Sequence, residues 1–519
     1  MTGTGRLASR ATGAGTKAVT TSYSYDGLQL IGEYSSTGAL VRRCAKPVQR
    51  ETGCRGRRDA VQSASRERRD HPKEADVKLL NPCALMAAAG LILLASEPAQ
   101  AQLSKPEQRI AATVDAEYER SVALLERLVN VNSGTMNLAG VKAVSELVRA
   151  ELAPLGFRLE WKDMAAVGRA GHLIAVKPGR KGARPILLIA HLDTVFEADS
   201  PFQRFTRRRA DGRDEGEGPG AGDDKGGLVV IIAALRAMRS AGTLKDAAIE
   251  IHMTGDEEDS GEPLSLARAD LVAAGKRAGF ALDFEGLVID AGKDMGSVAR
   301  RSANSWTLTT SGKTGHSSLI FGTIYGDGAI YELTRILARF RTELPEPNLT
   351  FNVGLIAGGT EAALDKDGSR AIASGKSNVI PGTAFARGDF RTLPEDQSVR
   401  VRARMQAIVA EHAPQTSATI TFDPGAYPAM APTPGNHALL SRLNRVNRDL
   451  GLAEMAPLDP LKRGAGDISF VAGDVDALAG LGPSSRGDHA PGETVDLASI
   501  KRQATRAAIL MSRLSREKR

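Results

Sequence analysis

Apolar positions along the chain follow two different periods after residue 105. Spacing by three and four residues is typical of amphipathic helices, and unbroken apolar runs are typical of buried strands. These patterns predict helices over 106–134 and 137–155, strands at 171–177 and 185–190, a helix from Lys225 and a strand at 247–254. Because strands and helices alternate, and the strands read as continuous apolar runs, we expect an α/β domain with a mostly parallel central sheet.

The pattern changes near residue 300, where the strands become apolar on one face only. The predicted strands are 303–311, 349–357, 378–391 and 417–423, with helices at about 326–343 and 396–413. This order is β-α-β-β-α-β, the two-layer α+β arrangement of the split βαβ, ferredoxin-like kind. Helical spacing returns at 436–451 and 497–515. We therefore expect one α/β domain, formed by 102–298 and 416–519, interrupted by an inserted domain at 299–415.

Composition and charge differ between the front of the chain and the rest. The 519 residues contain 68 Lys and Arg against 61 Asp and Glu, a net charge of +7, and the sequence pI is about 9.3. Residues 1–101 hold 15 of the basic and 9 of the acidic residues, together with Cys44, Cys54 and Cys83. The remainder is almost neutral, and aromatic residues make up only 4% of the chain. These values exclude a disulfide scaffold and argue against a nucleic-acid binder.

The first hundred residues resemble a leader rather than part of a folded domain. Residues 1–76 show no persistent period, and we interpret them as disordered or as an extension absent from the working protein. A basic flank, the apolar run 84–95 and small residues before position 101 predict a signal peptide over 77–101, with translation starting near Val77 or Met86. A buried core helix is the alternative for the apolar run. With cleavage after Ala101, we expect a periplasmic or secreted protein without a membrane anchor.

Three polar stretches follow predicted strands or open a predicted helix. They are LLIAHLDTVF (187–196), GPGAGDDKGG (218–227) and TGDEEDSGE (254–262). Each alone has an ordinary explanation, such as a histidine bonded to a carboxylate or a solvated acidic loop. Because parallel strands deliver their C-terminal ends to one edge, however, the histidine and the carboxylates are expected to converge there. Several carboxylates placed this close together repel one another unless a cation lies between them. The sequence therefore predicts a metal site at this edge of the sheet.

The order of these motifs resembles that of a known family. H-x-D, then G-x-x-D-x-K-G-G, then D-E-E is the order found in dinuclear zinc exopeptidases and amidohydrolases. That group includes aminoacylases, acetylornithine deacetylase, succinyl-diaminopimelate desuccinylase and the carboxypeptidase G type of glutamate carboxypeptidase. The resemblance covers about residues 105–515, and HLDTVF and GPGAGDDKGG look most like the last branch.

The resemblance implies a role for individual residues. The implied metal ligands are His191, Asp223 as the bridging carboxylate, Glu258, Glu285 and His489, with Asp283 as an alternative to Glu285. Glu257 would be the general base, and Asp193 would orient His191. The inserted domain corresponds to the family's lid and dimerisation domain.

Three further residues correspond to the family's substrate contacts. His316 occupies the position of a histidine that polarises the substrate carbonyl, often across a dimer. Asn378 and Arg391 correspond to substrate-binding residues, although Arg391 alone would read as a surface arginine. The glutamate-specific branch also has an arginine in a short Gly-Arg-Pro segment after the lid. The corresponding stretch here, 424–430, contains none, which argues against a preference for C-terminal glutamate.

These features together predict a zinc-dependent exopeptidase of the carboxypeptidase kind. It would bind two Zn²⁺ per subunit, replaceable by Co²⁺ or Mn²⁺, and form a homodimer through the lid. The substrate would be a small peptide or an N-acyl amino acid with a free carboxylate, cleaved by metal-bound hydroxide with Glu257 as base. An N-acyl-amino-acid deacylase or desuccinylase is the alternative on the same scaffold. A non-catalytic zinc- or peptide-binding protein is the alternative of another class, and the presence of Glu257 argues against it.

Overall fold

The computed structural model describes residues 103–517 apart from 211 and 367, together with four strands near the start of the chain. These four strands belong to a compact unit of their own. They pair in sequence order as an antiparallel sheet: β1 (Leu7–Thr12), β2 (Val19–Asp26), β3 (Gln29–Tyr34) and β4 (Leu40–Arg43). The strands differ from the expectation that 1–76 lacks regular structure; the β-branched and aromatic residues of VTTSYSYD favour a strand. The predicted signal peptide at 77–101 lies outside the described residues.

The second unit contains an α/β domain made from two parts of the chain. The first part comprises α1 (Lys105–Ala116), α2 (Tyr118–Val129), α3 (Leu138–Leu152), β5 (Arg158–Asp163), β6 (Gly171–Lys177), β7 (Ile186–His191), β8 (Thr206–Ala210), β9 (Arg213–Glu217), α4 (Lys225–Ser240), β10 (Ile249–Thr254), α5 (Leu264–Ala267), α6 (Ala269–Arg277), β11 (Phe280–Asp283), β12 (Ile289–Asp290) and β13 (Lys293–Gly296). The second part comprises α9 (Pro434–Asp449), β20 (Ala456–Pro457), β21 (Ala477–Leu478), β22 (Ser485–Arg486), β23 (Thr494–Asp496) and α10 (Leu497–Leu514).

The central sheet has six strands in the order β21-β11-β7-β10-β6-β5. The first four run parallel, and β6 and β5 add to one edge in antiparallel pairing. The mostly parallel sheet predicted from the sequence is therefore confirmed. Strand β7 is buried on both faces: Leu188 packs in the apolar cluster of α4, and Leu187 packs in the cluster of α6. Each fully buried leucine stabilises the fold by roughly 1.5–3 kcal/mol.

Helix α4 forms the centre of the helical layer next to the sheet. It is buried along most of its length and contacts β7, α10, α1 and α2. The predicted helix over 106–134 is in fact the two helices α1 and α2, because the backbone at Glu117 departs from helical geometry. This break allows both short helices to pack against α4.

The inserted domain interrupts the α/β domain after β13. Its elements are β14 (Asn304–Gly312), α7 (Ala329–Glu343), β15 (Thr350–Gly359), β16 (Glu361–Leu364), β17 (Ala371–Ser374), β18 (Thr383–Arg391), α8 (Glu395–Ala410) and β19 (Thr416–Phe422). Strands pair in the antiparallel order β15-β18-β14-β19, and α7 and α8 pack on this sheet around Trp306, Phe340 and Phe390. The hairpin of β16 and β17 was not predicted.

The α/β domain also contains a smaller antiparallel sheet, in the order β22-β23-β9-β8. It joins the chain segment just before α4 to the segment just before α10 through the pairing of β9 with β23. Among the described residues, none of the helices combines the length and the hydropathy needed to cross a bilayer.

Candidate active site

The three motif stretches meet at the C-terminal edge of the central sheet. His191 is the last residue of β7, and it lies opposite Thr254, the last residue of β10, in the parallel register. The loop after β10 carries Glu257 and Glu258, and Asp223 lies just before α4. The parallel pairing therefore brings together residues that are far apart in the sequence.

Asp223 lies between two imidazole rings. Its Oδ1 is 2.9 Å from Nε2 of His191, and its Oδ2 is 3.2 Å from Nε2 of His489. The same His489 nitrogen lies 3.2 Å from Oε2 of Glu258. A carboxylate with a histidine beside each oxygen is suited to bridge two cations, each of which could also bind one of the histidines.

Asp193 is fully buried and contacts the candidate ligand His191 and the loop that carries Glu257 and Glu258. Its Oδ1 lies 3.3 Å from Nδ1 of His191. It also accepts the backbone N–H groups of Glu257 and Glu258, at 3.1 Å each, and the Thr135 hydroxyl at 2.7 Å. Asp193 therefore fixes both the ring of His191 and the loop after β10, which extends the role inferred from the sequence.

One open cleft of about 440 Å³ is lined by Glu257 and by four of the candidate ligands, Asp223, Glu258, Glu285 and His489. His191, the fifth, is only 2% exposed and does not line the cleft. Among the two acidic candidates after β11, Glu285 lines this cleft, whereas Asp283 is only 1% exposed and lies behind it. Nη1 of Arg300 binds both carboxylates, at 2.6 Å from Glu285 Oε2 and 3.0 Å from Asp283 Oδ2. Arg463 Nη2 lies 3.4 Å from the same Glu285 oxygen. The position of Glu285 favours it over Asp283 as a ligand.

The pKa values of the groups in the cleft are shifted because several carboxylates lie close together there. Burial, with the negative charge of Glu285 nearby, raises the pKa of Glu257 well above its usual range. Burial alone would raise the pKa of Asp223, but hydrogen bonds with His191 and His489 outweigh it and lower that pKa. The hydrogen bonds with Asp223 and Glu258 raise the pKa of His489 to about 11. The site therefore holds more negative charge than its own histidines neutralise.

The donor set fits a metal centre. One ligand atom each of His191, Asp223 and Glu258 lie within 4.8 Å of one another. Oε1 of Glu258 is buried and has no hydrogen-bond partner among the described residues. Imidazole nitrogens combined with carboxylate oxygens are donors that suit zinc. Buried, unpartnered carboxylate oxygens are costly unless a cation binds them.

The opposite wall of the cleft is basic. Arg391, at the end of β18, lines it together with Lys462 and Arg463 of the loop between β20 and β21. This loop approaches the site closely because it contains glycine. A Cβ on Gly464 would lie 2.9 Å from Arg391 Nη1, and one on Gly466 would lie 2.5 Å from Glu285 Oε1. Arg391 is thus placed to meet an anionic group in the cleft.

His316 and Asn378 do not line this cleft. Both are exposed in the inserted domain and lie beside each other, since the backbone N–H of Ser317 donates to the Asn378 carbonyl at 2.9 Å. Nδ1 of His316 is 2.8 Å from the Ser318 hydroxyl. The two residues predicted to contact substrate therefore form a separate pair on the surface of this protomer.

The structure adds residues that the sequence did not identify. Arg268, 1% exposed, donates to Asp256 Oδ1 at 2.6 Å, to Asp467 Oδ1 at 2.7 Å and to the Tyr427 hydroxyl at 2.9 Å. The Tyr427 hydroxyl also lies 3.1 Å from the Glu257 carbonyl, to which it can donate. No local pattern could reveal this network, because its members come from four separated stretches of chain.

Comparisons with known proteins identify the family of this chain. A family model described as peptidase family M20/M25/M40 matches residues 187–513. Carboxypeptidase G2 of Pseudomonas sp. (strain RS-16) is 25% identical over 434 residues, which cover 82% of this chain and 96% of that protein. Succinyl-diaminopimelate desuccinylase of Paracidovorax citrulli (strain AAC00-1) is 26% identical over 398 residues, covering 74% of this chain and 94% of that protein.

A solved structure shares the fold. The crystal structure of aminopeptidase PepT from Bacillus cereus ATCC 10987 matches with a TM-score of 0.61 at 18% identity, covering 77% of this chain and 99% of that one. At 18% identity, this similarity shows that the two chains share a fold and nothing more.

Proposed function

The chain belongs to peptidase family M20/M25/M40, and on that basis we propose that it is a zinc-dependent exopeptidase of the carboxypeptidase kind. The proposed reaction is hydrolysis of the amide or peptide bond of a small substrate that carries a free carboxylate. The observation that carries the proposal is Asp223 between His191 and His489, with Glu257 facing the same cleft. The prediction of a hydrolase of this family is confirmed by the family match.

We propose that His191, Asp223, Glu258, Glu285 and His489 hold two Zn²⁺ ions, with Asp223 shared between them. Bound zinc supplies a Lewis acid that polarises a carbonyl and lowers the pKa of water. Glu257 takes a proton from the attacking water and delivers it to the leaving amine.

Arg391 supports recognition of a free carboxylate. Its only ion pair among the described residues is with Asp389, at 3.2 Å, and it is half-exposed at the cleft. A charged hydrogen bond to a carboxylate supplies both affinity and orientation. A deacylase or desuccinylase is the second candidate, because Lys462 and Arg463 offer further positive charge for an acyl group with its own carboxylate.

We propose that the inserted domain forms a homodimer. Its exposed apolar side chains include Phe321, Tyr331 and Ile356, and the rings of Phe321 and Tyr331 pack 5.2 Å apart. His316 precedes Phe321 in the same loop, so a partner seated on this surface would meet His316. This supports a role for His316 in the active site of the partner, where it would polarise the substrate carbonyl.

We also propose that the protein is exported to the periplasm or the medium, on the basis of the signal peptide predicted over 77–101.

The proposed function is tested with the zinc-loaded protein and a panel of dipeptides, N-acyl amino acids and N-succinyl amino acids. We expect turnover of at least one class and none of the same compounds with an amidated C-terminus. Treatment with a chelator should abolish activity, and Zn²⁺ should restore it. Activity that persists after verified removal of the metal would refute the mechanism.

A further inference from the structure

The carboxylate of Glu493 lies inside the glycine-rich loop that carries Asp223. The side chain is 1% exposed. Its Oε1 accepts the backbone N–H groups of Gly222 at 2.7 Å and Asp223 at 3.0 Å, and its Oε2 accepts that of Gly220 at 3.0 Å. One carboxylate therefore satisfies three backbone donors within four residues of a loop that contains no regular structure.

Glu493 also connects this loop to the segment that carries His489. The backbone N–H of Gly218 donates to the Glu493 carbonyl at 3.1 Å, and the N–H of Glu493 donates to Ala490 at 3.1 Å. Directly after Glu493, β23 pairs with β9, so the two chain segments are held side by side. His489 lies four residues before Glu493, on the same short turn.

The loop itself is built to accept this carboxylate. Gly220 has φ +73, a left-handed conformation that favours glycine. Lys225 is fully buried, and its Nζ donates to the carbonyls of Val131 at 3.0 Å and Pro219 at 3.4 Å, which ties the start of α4 to the same loop. The backbone N–H groups around Asp223 thus converge on a single acceptor.

We propose that Glu493 is the positioning residue that sets the distance between Asp223 and His489. It holds the backbone of the bridging carboxylate at one end and the turn that presents His489 at the other. This inference rests on the proposed metal centre, because the two side chains must share a cation for the distance to matter. Glu493 does not face the cleft and acts through the ligands.

The test measures Zn²⁺ affinity of the full chain, stripped of metal, by competition with a chromophoric chelator. Glu493→Gln replaces one acceptor oxygen by an amide donor that opposes the Gly220 N–H. We expect about 10- to 100-fold weaker zinc binding, and an altered absorption spectrum of the Co²⁺-loaded protein. Glu493→Asp keeps the charge but retracts it, and we expect an intermediate loss.

The matched control is Glu332→Gln in the inserted domain. Glu332 is also fully buried and paired, with Arg335 at 2.8 Å. It should lower the Tm of the metal-free protein about as much as Glu493→Gln does, and leave zinc affinity unchanged. Zinc affinity of Glu493→Gln close to that of the wild type would overturn the proposal. Failure of both Glu493 variants to fold would also overturn it, since the role would then be structural. A wild-type chain that binds no zinc would instead refute the proposed function.

Discussion

The Oδ1 atom of Asp193 accepts the backbone N–H of Glu257 at 3.1 Å. Asp193 comes from the loop after β7 and Glu257 from the loop after β10, so this bond joins two strand ends directly. The same Asp193 oxygen lies 3.3 Å from the His191 ring. The proposed base and a proposed metal ligand are therefore positioned by one carboxylate that faces neither solvent nor substrate.

Replacing the proposed base should separate chemistry from metal binding. Glu257→Gln removes the group that carries the proton but none of the proposed ligands. We expect kcat to fall by about 10²- to 10⁴-fold while zinc content stays at the wild-type level. Steady-state kinetics and metal analysis of the same preparation check both parts. The control is Glu262→Gln, an exposed glutamate of the same loop. Near-full activity of Glu257→Gln would mean that another group is the base.

Arg391 should affect substrate binding more than turnover. Arg391→Ala removes a charged donor from the cleft, and such hydrogen bonds contribute about 1.5–3 kcal/mol. We expect KM for a substrate with a free carboxylate to rise about tenfold or more, with a smaller change in kcat. Arg387→Ala is the matched control, because Arg387 lies on the same strand but pairs with Asp423 at 2.8 Å away from the cleft. An unchanged KM for Arg391→Ala would mean that Arg391 is a surface arginine that does not bind the substrate.

The buried carboxylate of Glu250 should make the thermal stability of the protein depend on pH in the acidic range. Burial alone would raise its pKa, but His252 and Arg277 outweigh this effect and lower the pKa from 4.5 to about 2. A lowered pKa stabilises the fold above about pH 4.5, and the stabilisation is lost as the pH falls through about 2. We expect Glu250→Gln to lower the Tm at neutral pH. The difference in Tm between the variant and the wild type should shrink as the pH falls from about 4.5 to about 2. Thermal melts of both proteins, with the exposed Glu361→Gln as control, test this expectation. A constant difference at every pH would contradict it.

The exposed apolar surface of the inserted domain should control assembly. Tyr331→Lys combined with Ile356→Lys places two charges on that surface and should convert a dimer into a monomer. Light scattering after size-exclusion chromatography gives the mass of each variant. Leu266→Lys, which charges an exposed apolar position in the α/β domain, is the control and should not change the mass.

Mixing two inactive variants tests whether His316 serves the partner. His316→Ala and Glu257→Gln are each expected to be nearly inactive alone. In a mixed dimer, one active site contains both Glu257 and the His316 of the other chain, so activity should return. If the mixture stays inactive while exchange of subunits is verified, His316 does not act across the dimer.

The sequence identified the local parts of the site better than the long-range parts. The pattern of strand ends predicted where a metal site would form, and the resemblance to the family implied His191, Asp223 and Glu258 as its ligands. The choice between Asp283 and Glu285 stayed open, since both end the same strand. Only the fold shows that Glu285 lines the cleft. Their roles as ligands remain predictions.

Other features depend on packing that no local pattern encodes. Arg300 reaches the carboxylates after β11 from a different segment, and Tyr427 reaches the Glu257 loop from the connection that follows the inserted domain. The break at Glu117 is likewise tied to the packing of both α1 and α2 on α4, which the periodic pattern of 106–134 did not reveal. These residues acquire their contacts only when distant parts of the chain meet.

The division of the α/β domain by the inserted domain has a consequence for biosynthesis. β21 completes the edge of the central sheet beside β11, and α10 covers α4, yet both are made after the entire inserted domain. The inserted domain can therefore fold during translation, whereas the sheet and its helical layer must wait for the C-terminal residues to leave the ribosome. Because His489 also lies in that last part, a nascent chain would have an incomplete set of the proposed ligands, and metal capture would be one of the final events of maturation.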